Sequence, residues 1–297
     1  MPIPESQLDI WAHQGSVTQS SNTYNTVKSV LESSDAPYAK REFTVFLQGS
    51  YGNNTNIYAE SDVDIVIQLT SVFSFHLGAL PIEQQSIFYQ ANSCWVAYNL
   101  ADFKREVLLH LQRKYGDAVQ ISDKAIKIKA NGSRRNVDVI VCMSFRNYQR
   151  FASVSDQQYV EGICFFNSSN IQIANYPKNH LANLTVKHQR TNGWYKPMVR
   201  IFKNIRTSLV QQGMIVASDA PSYFLEGMLY NVPDMSFGGS YTNTAINSIN
   251  WLCQTDRSRL VCANEQYFLL NDFLPVTWRA AKFTAFLGAA CDLWQRW

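Results

Sequence analysis

A chain of 297 residues, 46% hydrophobic and 13% aromatic, has enough apolar material to bury a sizeable core without disulfides or a structural metal. Its formal charge of +3, from 26 basic and 23 acidic residues, excludes the polyelectrolyte character of a non-specific nucleic-acid binder. A small charged ligand held with a metal fits that balance better than a long duplex. The opening Met-Pro-Ile-Pro-Glu is no basic-then-apolar leader, and no stretch reaches the roughly 18 uninterrupted apolar residues of a membrane span. The expectation is a soluble, cytoplasmic protein with no membrane partner.

In chain order, apolar positions at helical spacing (Leu8, Trp11, then Val17, Tyr24, Val27, Val30, Leu31) predict a short helix and a longer one within 5–34, separated near Gly15. Phe43 to Leu47 is rich in β-formers, Gly49 to Asn56 reads as a polar turn, and Val63 to Leu69 is β-rich again. Residues 82–115 read as helical, with Val107, Leu108 and Leu111 as the apolar stripe and Gly116 as the stop. Short alternating runs follow at 124–129, 136–142 and 160–166, the first two joined through Asn131-Gly132, a hairpin signal. After Tyr176-Pro177 the pattern changes to periodic segments at 194–212, 221–230, 243–254, 264–271 and 277–296. The pattern describes an α+β chain, with a mixed sheet and helices over 1–176, a helical lobe over 177–297, and a ligand-binding cleft between the two. The closing run from Trp278 to Trp297 reads as a packing helix. Six cysteines (Cys94, Cys142, Cys164, Cys253, Cys262, Cys291) form no C-x-x-C pair and mostly adjoin apolar residues, which points to buried thiols.

The chemistry is concentrated in three places. Gly49-Ser50 follows a strand, where backbone amides can approach an anion and the hydroxyl can donate to it. Asp62 and Asp64 stand two apart at a strand start, so both carboxylates point to one face. Asp138 interrupts the apolar run Val137 to Val141, where an ionised carboxylate needs a cation for a partner. Two magnesium ions suit this all-oxygen set, with manganese able to substitute. One ion would activate an attacking hydroxyl and the other would steady the leaving pyrophosphate, while Asp138 can also serve as general base. Taken singly, each feature has a plainer reading: a solvated turn for the D-x-D, a simple turn for Gly-Ser, an edge-strand charge for Asp138. Their conjunction in this order is what argues for catalysis.

Gly49-Ser50, Asp62-x-Asp64 and a distal Asp138 together resemble the polymerase-β nucleotidyltransferase superfamily. The stretch Gln48 to Ile67 is similar within it to the bacterial cGAS/DncV-like nucleotidyltransferases (CD-NTases), synthases of cyclic-oligonucleotide (CBASS) anti-phage signals. The resemblance implies a polymerase-β-like catalytic lobe followed by a helical lobe. It also implies a magnesium-dependent enzyme that joins nucleoside triphosphates, ATP and GTP foremost, into a cyclic di- or trinucleotide with release of pyrophosphate. A separate effector would bind the product, and the enzyme would be a monomer needing no stably bound nucleic acid. Asp62, Asp64 and Asp138 would be the catalytic metal ligands, and Gln48, Gly49 and Ser50 would meet the nucleotide. Tyr195 to Asn204 looks like the helix that places a lysine, here Lys203, on the triphosphate. Ser222-Tyr223 looks like the next helix start, its serine on phosphate and its ring on the base. Each also has a plain alternative: a surface lysine, an N-cap and a core tyrosine.

Thr191-Asn192-Gly193 reads as a cap for the Lys203 helix, and the five histidines show no metal-ligand spacing. Lys124, Lys127, Lys129, Arg134 and Arg135 flank the Asp138 hairpin and read as a solvated basic face. The terminal Gln295-Arg296-Trp297 departs from the small final residue through which some relatives are conjugated. The competing enzymatic reading is a nucleotidyltransferase that extends RNA or adenylylates a protein. A non-catalytic nucleotide sensor is the third, disfavoured by the presence of all three acids.

Overall fold

The computed structural model describes residues 3–15, 17–58, 62–93 and 97–297. Its first part contains α1 (Glu5–Ala12), α2 (Thr18–Leu31), β1 (Phe43–Gln48), the single turn α3 (Gly49–Gly52), β2 (Val63–His76), α4 (Ile82–Ala91) and α5 (Leu100–Tyr115). There follow β3 (Val119–Ile121), β4 (Ile126–Ile128), β5 (Val137–Phe151), β6 (Gln157–Phe166) and β7 (Gln172–Asn175). The remainder is helical: α6 (Pro177–Arg190), α7 (Tyr195–Gln211), α8 (Ser222–Asn231), α9 (Tyr241–Gln254) and α10 (Ala280–Arg296).

The chain divides into two compact units, one of Gln19–Gln48 and Asp62–Tyr176, the other of Met1–Thr18, Gly49–Ser61 and Pro177–Trp297. The 176/177 seam is one of the crossings, but the sequence reading kept all of 1–176 together. The division departs from it because Ile3, Leu8 and Ala12 bury themselves among the core residues of α7, α8 and α9.

The first unit is a seven-stranded sheet in the order β1-β2-β5-β4-β3, with β6 on the far half of β5 and β7 beyond it. Only β2 and β5 run parallel; the other pairings are antiparallel. Val63, Ile65, Ile67 and Leu69 alternate with their neighbours, so one face of β2 joins Val137, Val139 and Val141 in a core closed by Val27, Leu31, Phe103, Val107 and Leu111 of α2 and α5. The other face of these strands carries Asp64 and Asp138. α5 starts where Asn99 accepts hydrogen bonds from Ala101 N (2.8 Å) and Asp102 N (3.2 Å), a capping box that splits the long helix expected over 82–115 in two.

The second unit buries one side of each helix around α7, whose Met198, Val199, Ile201, Phe202, Ile205 and Leu209 are sealed from solvent. Phe283, Phe286, Leu287 and Leu293 of α10 join the same core, as the closing-helix reading anticipates. The run 264–271 is not helical. Asn264 turns back to accept from Gln266 N at 2.9 Å, and the chain makes bridges Val261–Phe268 and Leu270–Trp278, so four successive apolar residues mimic periodicity without a helix. α6 and the short β3 and β7 went unread. The β4–β5 hairpin forms, but Asn131 accepts from Ser133 N and Arg134 N within a longer connection instead of closing a two-residue turn. Cys142, Cys164 and Cys262 are buried as expected, whereas Cys253 is exposed and Cys291 half-buried, their sulfurs 4.0 Å apart; Cys94 lies outside the described residues. Apolar neighbours in sequence do not share a helix face, which is why adjacency misled there. No helix among the described residues is long and apolar enough to cross a membrane.

Candidate active site

The sheet unit assembles its acids by register. Asp64 pairs with Asp138 across the parallel β2–β5 ladder, Gln48 pairs with Asp64 from β1, and Lys127 pairs with Asp138 from β4. Register partners project from the same face, so Gln48, Asp64, Asp138 and Lys127 form one row across four strands. Asp62, one residue before β2, accepts from Asn136 Nδ2 at 3.2 Å, and its charge reaches Asp138. Burial pushes the Asp138 carboxyl above the ordinary range; Lys127, with Nζ at 3.7 Å, pulls it back, and the charge of Asp62 pushes it up further. The buried Gln48 Oε1 has no hydrogen-bond partner among the described residues.

In the helical unit the Gly-Ser segment is built around one backbone requirement. Gly49 has φ 69°, a left-handed conformation that a side chain would strain, and it starts the turn in which Asn53 N donates to Gly49 O and Thr55 N to Ser50 O, both at 2.9 Å. Ser50 Oγ accepts from Lys203 Nζ at 2.8 Å, and the same ammonium donates to Thr55 O at 2.9 Å. A hydroxyl that accepts from an ammonium keeps its own hydrogen for an anion. Lys203 is fully buried, its ammonium held by these two oxygens, which removes the plain alternative of a solvated surface lysine.

Ser222 opens α8 behind Pro221 and accepts from Arg206 Nη1 at 3.2 Å. Arg206 also donates to Ala220 O at 2.9 Å, and burial lowers its guanidinium to about 10. Tyr223 accepts from Asn264 Nδ2 at 2.9 Å, and its ring stacks on His180 with centroids 4.6 Å apart and planes 18° from parallel. Thr191 accepts from Tyr195 N at 3.2 Å, supporting the start of α7 as the capping reading anticipates.

Comparison with known proteins resolves the family. Residues 182–295 match the model of the cGAS/DncV-like nucleotidyltransferase C-terminal helical domain. A cyclic UMP-AMP synthase of Rhodothermus marinus is 42% identical over 300 residues, covering 100% of this chain and 99% of that protein. The chain belongs to the CD-NTases. A cyclic nucleotide synthase from Staphylococcus haemolyticus is 36% identical over 304 residues, with 100% of both chains covered. The solved structure of Rhodothermus marinus CdnE c-UMP-AMP synthase with Apcpp and Upnpp matches with a TM-score of 0.88 at 40% identity, covering 100% of this chain and 98% of the other.

In this CD-NTase the donor set on the sheet suits a hard cation, since it is all oxygen and includes an acid whose charge burial disfavours until a cation arrives. Among the described residues no three His, Cys, Asp or Glu side chains stand close enough to hold a metal ion by themselves. Magnesium does not require that, because it ordinarily takes one or two carboxylates and completes its shell with phosphate and water. What the sequence reading missed is the centre of the helical unit: Glu226, His180, Asn53, Thr55 and Arg206. The signal for Glu226 was present, since it is a lone acid in the apolar run Phe224 to Leu229, the same irregularity that singled out Asp138.

Proposed function

We propose that this CD-NTase joins two nucleoside triphosphates into a cyclic dinucleotide, releasing two pyrophosphates, and that the product serves as an anti-phage signal read by a separate effector. The observation that carries the reading is the Asp64–Asp138 register, which sets two acids side by side, with the charge of Asp62 within reach of Asp138. Asp62, Asp64 and Asp138 would hold magnesium or manganese. Magnesium, when bound, neutralises triphosphate charge and lowers the pKa of the attacking ribose hydroxyl. Asp138, made more basic by burial and by Asp62, takes the proton of that hydroxyl at its carboxylate. Ser50 donates to a phosphate oxygen while Lys203 fixes the serine and adds positive charge. Ser222 meets phosphate at the free amides of the α8 start, and Tyr223 lies along the base.

ATP is one substrate in this reading. For the second, the 42% identical relative's UMP-AMP product supports UTP over the GTP expected from the sequence. Purified protein is incubated with the four ribonucleoside triphosphates and magnesium or manganese, beside an Asp62→Ala, Asp64→Ala double variant, and the products are identified by mass spectrometry. A cyclic dinucleotide containing adenosine, absent from the variant, is expected. Linear products alone would sink the cyclase claim, and incorporation into added RNA or protein would replace it.

A further inference from the structure

Glu226 is 1% exposed, and its carboxylate accepts from three side chains at once. Asn53 Nδ2 reaches Oε2 at 3.0 Å, His180 Nε2 reaches the same oxygen at 2.7 Å, and Thr55 Oγ1 donates to Oε1. A neutral side chain of this size cannot replace it fully, because an amide offers one accepting oxygen and a carboxylate offers two. Burying an ionised acid is costly unless donors surround it, and here they do.

The three donors are not scattered. Asn53 and Thr55 belong to the turn begun by Gly49, and Thr55 O also accepts from Lys203, which donates in turn to Ser50. The turn is therefore clamped from α8 through Glu226 and from α7 through Lys203. The third donor, His180, lies flat against Tyr223, while its Nδ1 is buried without a hydrogen-bond partner among the described residues. With only Nε2 bonded, the Glu226 carboxylate is what fixes the rotation of that imidazole. Two features assigned to nucleotide contact, the Ser50–Lys203 pair and the Tyr223 ring, thus hang on one acid, whose charge also acts on Lys203.

We infer that Glu226 is a positioning residue for the nucleotide. It holds the Gly49–Thr55 turn so that Ser50 and Lys203 present a joined anion contact, and it holds His180 as the platform that orients Tyr223. This rests on the proposed triphosphate role of Ser50 and Lys203, so the test reads binding and does not depend on turnover. The probe is the α,β-methylene analogue of ATP with magnesium, titrated calorimetrically into wild type, Glu226→Leu, Glu226→Gln, Thr55→Val and His180→Phe, each with its melting temperature. Glu226→Gln keeps an acceptor for Asn53 and His180 and lets the Thr55 hydroxyl turn round. It should bind within about 3-fold of wild type, whereas Glu226→Leu should lose at least about 10-fold, the scale on which outer-shell supports act. Thr55→Val and His180→Phe, each removing one donor at little cost in volume, should lose affinity with a small change in melting temperature, and they decide the matter if the leucine variant does not fold. Wild-type affinity in both single-donor variants overturns the inference, as does a glutamine variant as weak as the leucine one. Ser50→Ala and Lys203→Met binding as tightly as wild type would overturn it through its premise. A wild type that binds the analogue but yields no cyclic product refutes the cyclase reading alone.

Discussion

On the sheet face, Asp138 keeps 24% of its side chain in solvent and has one ammonium, Lys127, itself 48% exposed and 3.7 Å away. In the helical unit, Glu226 is sealed and met by three donors, with the charge of Lys203 close enough to matter. The consequence appears in their acidities. Burial raises both carboxyls, but at Glu226 the His180 contact, Lys203 and Thr55 outweigh it and hold the group below its ordinary range, whereas at Asp138 burial prevails. The sheet unit has an acid, Asp138, whose charge is under-compensated, as a cation site would require. The other has an acid whose charge is already matched, as a scaffold requires. In the proposed reading, the contrast separates residues that would meet the reacting groups from residues that would hold them.

The largest test of that contrast is Asp64→Ala. It should lower product formation at least about 100-fold, since even second-layer partners of metal ligands cost that order. Its melting temperature should stay within a few degrees of wild type; loss of folding without specific loss of activity in the surviving protein would break the comparison. Glu226→Gln should behave in the converse way, staying active but losing about 1–3 kcal/mol in urea unfolding at pH 7, the worth of hydrogen bonds to a charged group. Because the folded-state value lies below the ordinary 4.5, this contribution is complete above pH 4.5 and fades as pH falls through the folded value. The gap between wild type and the glutamine variant should therefore narrow in acid, and a constant gap would show that charge plays no part.

Asp138→Asn should give the smallest shift, and with the opposite sign. The folded-state value of Asp138 lies above 3.8, so its stabilising contribution is full only below pH 3.8 and is lost as pH rises through the folded value. At neutral pH the asparagine variant should match or exceed wild-type stability by up to about 1 kcal/mol, while losing catalysis. Added magnesium should raise the melting temperature of wild type more than that of the variant, which keeps two of the three carboxylates, since only a ligand that the folded state binds can stabilise it.

The acids on the sheet were legible because each breaks a local rule: a carboxylate in a run of valine and isoleucine must have a reason. The sequence could not give the register that sets Asp64 beside Asp138, since the residues lie on strands separated by α4, α5 and two short strands. Nor could it show that Lys203 is enclosed, because the spacing of Val199, Phe202 and Ile205 leaves open whether a lysine among them faces inward. Glu226 breaks the same rule in its apolar run, but the partners that give it and His180 their place could not be read for a related reason. Their value lies in contacts 46 residues apart with each other and more than a hundred apart with Asn53 and Thr55. The run 264–271 failed differently, by offering a block of consecutive apolar residues in a segment that asparagine side chains turn aside.

The parallel pairing of β2 and β5 has a consequence for when the enzyme becomes competent. Two strands so far apart in sequence come together only after a large loop has closed, which makes their pairing one of the slower events in folding. A slip of one residue would turn Asp138 to the opposite face, toward Val63 and Ile65 of β2 in the core. The carboxylate row therefore exists in one alignment only, and a nascent or misregistered chain has no partial version of it. Chemistry that waits for this pairing is closed to unfinished chains.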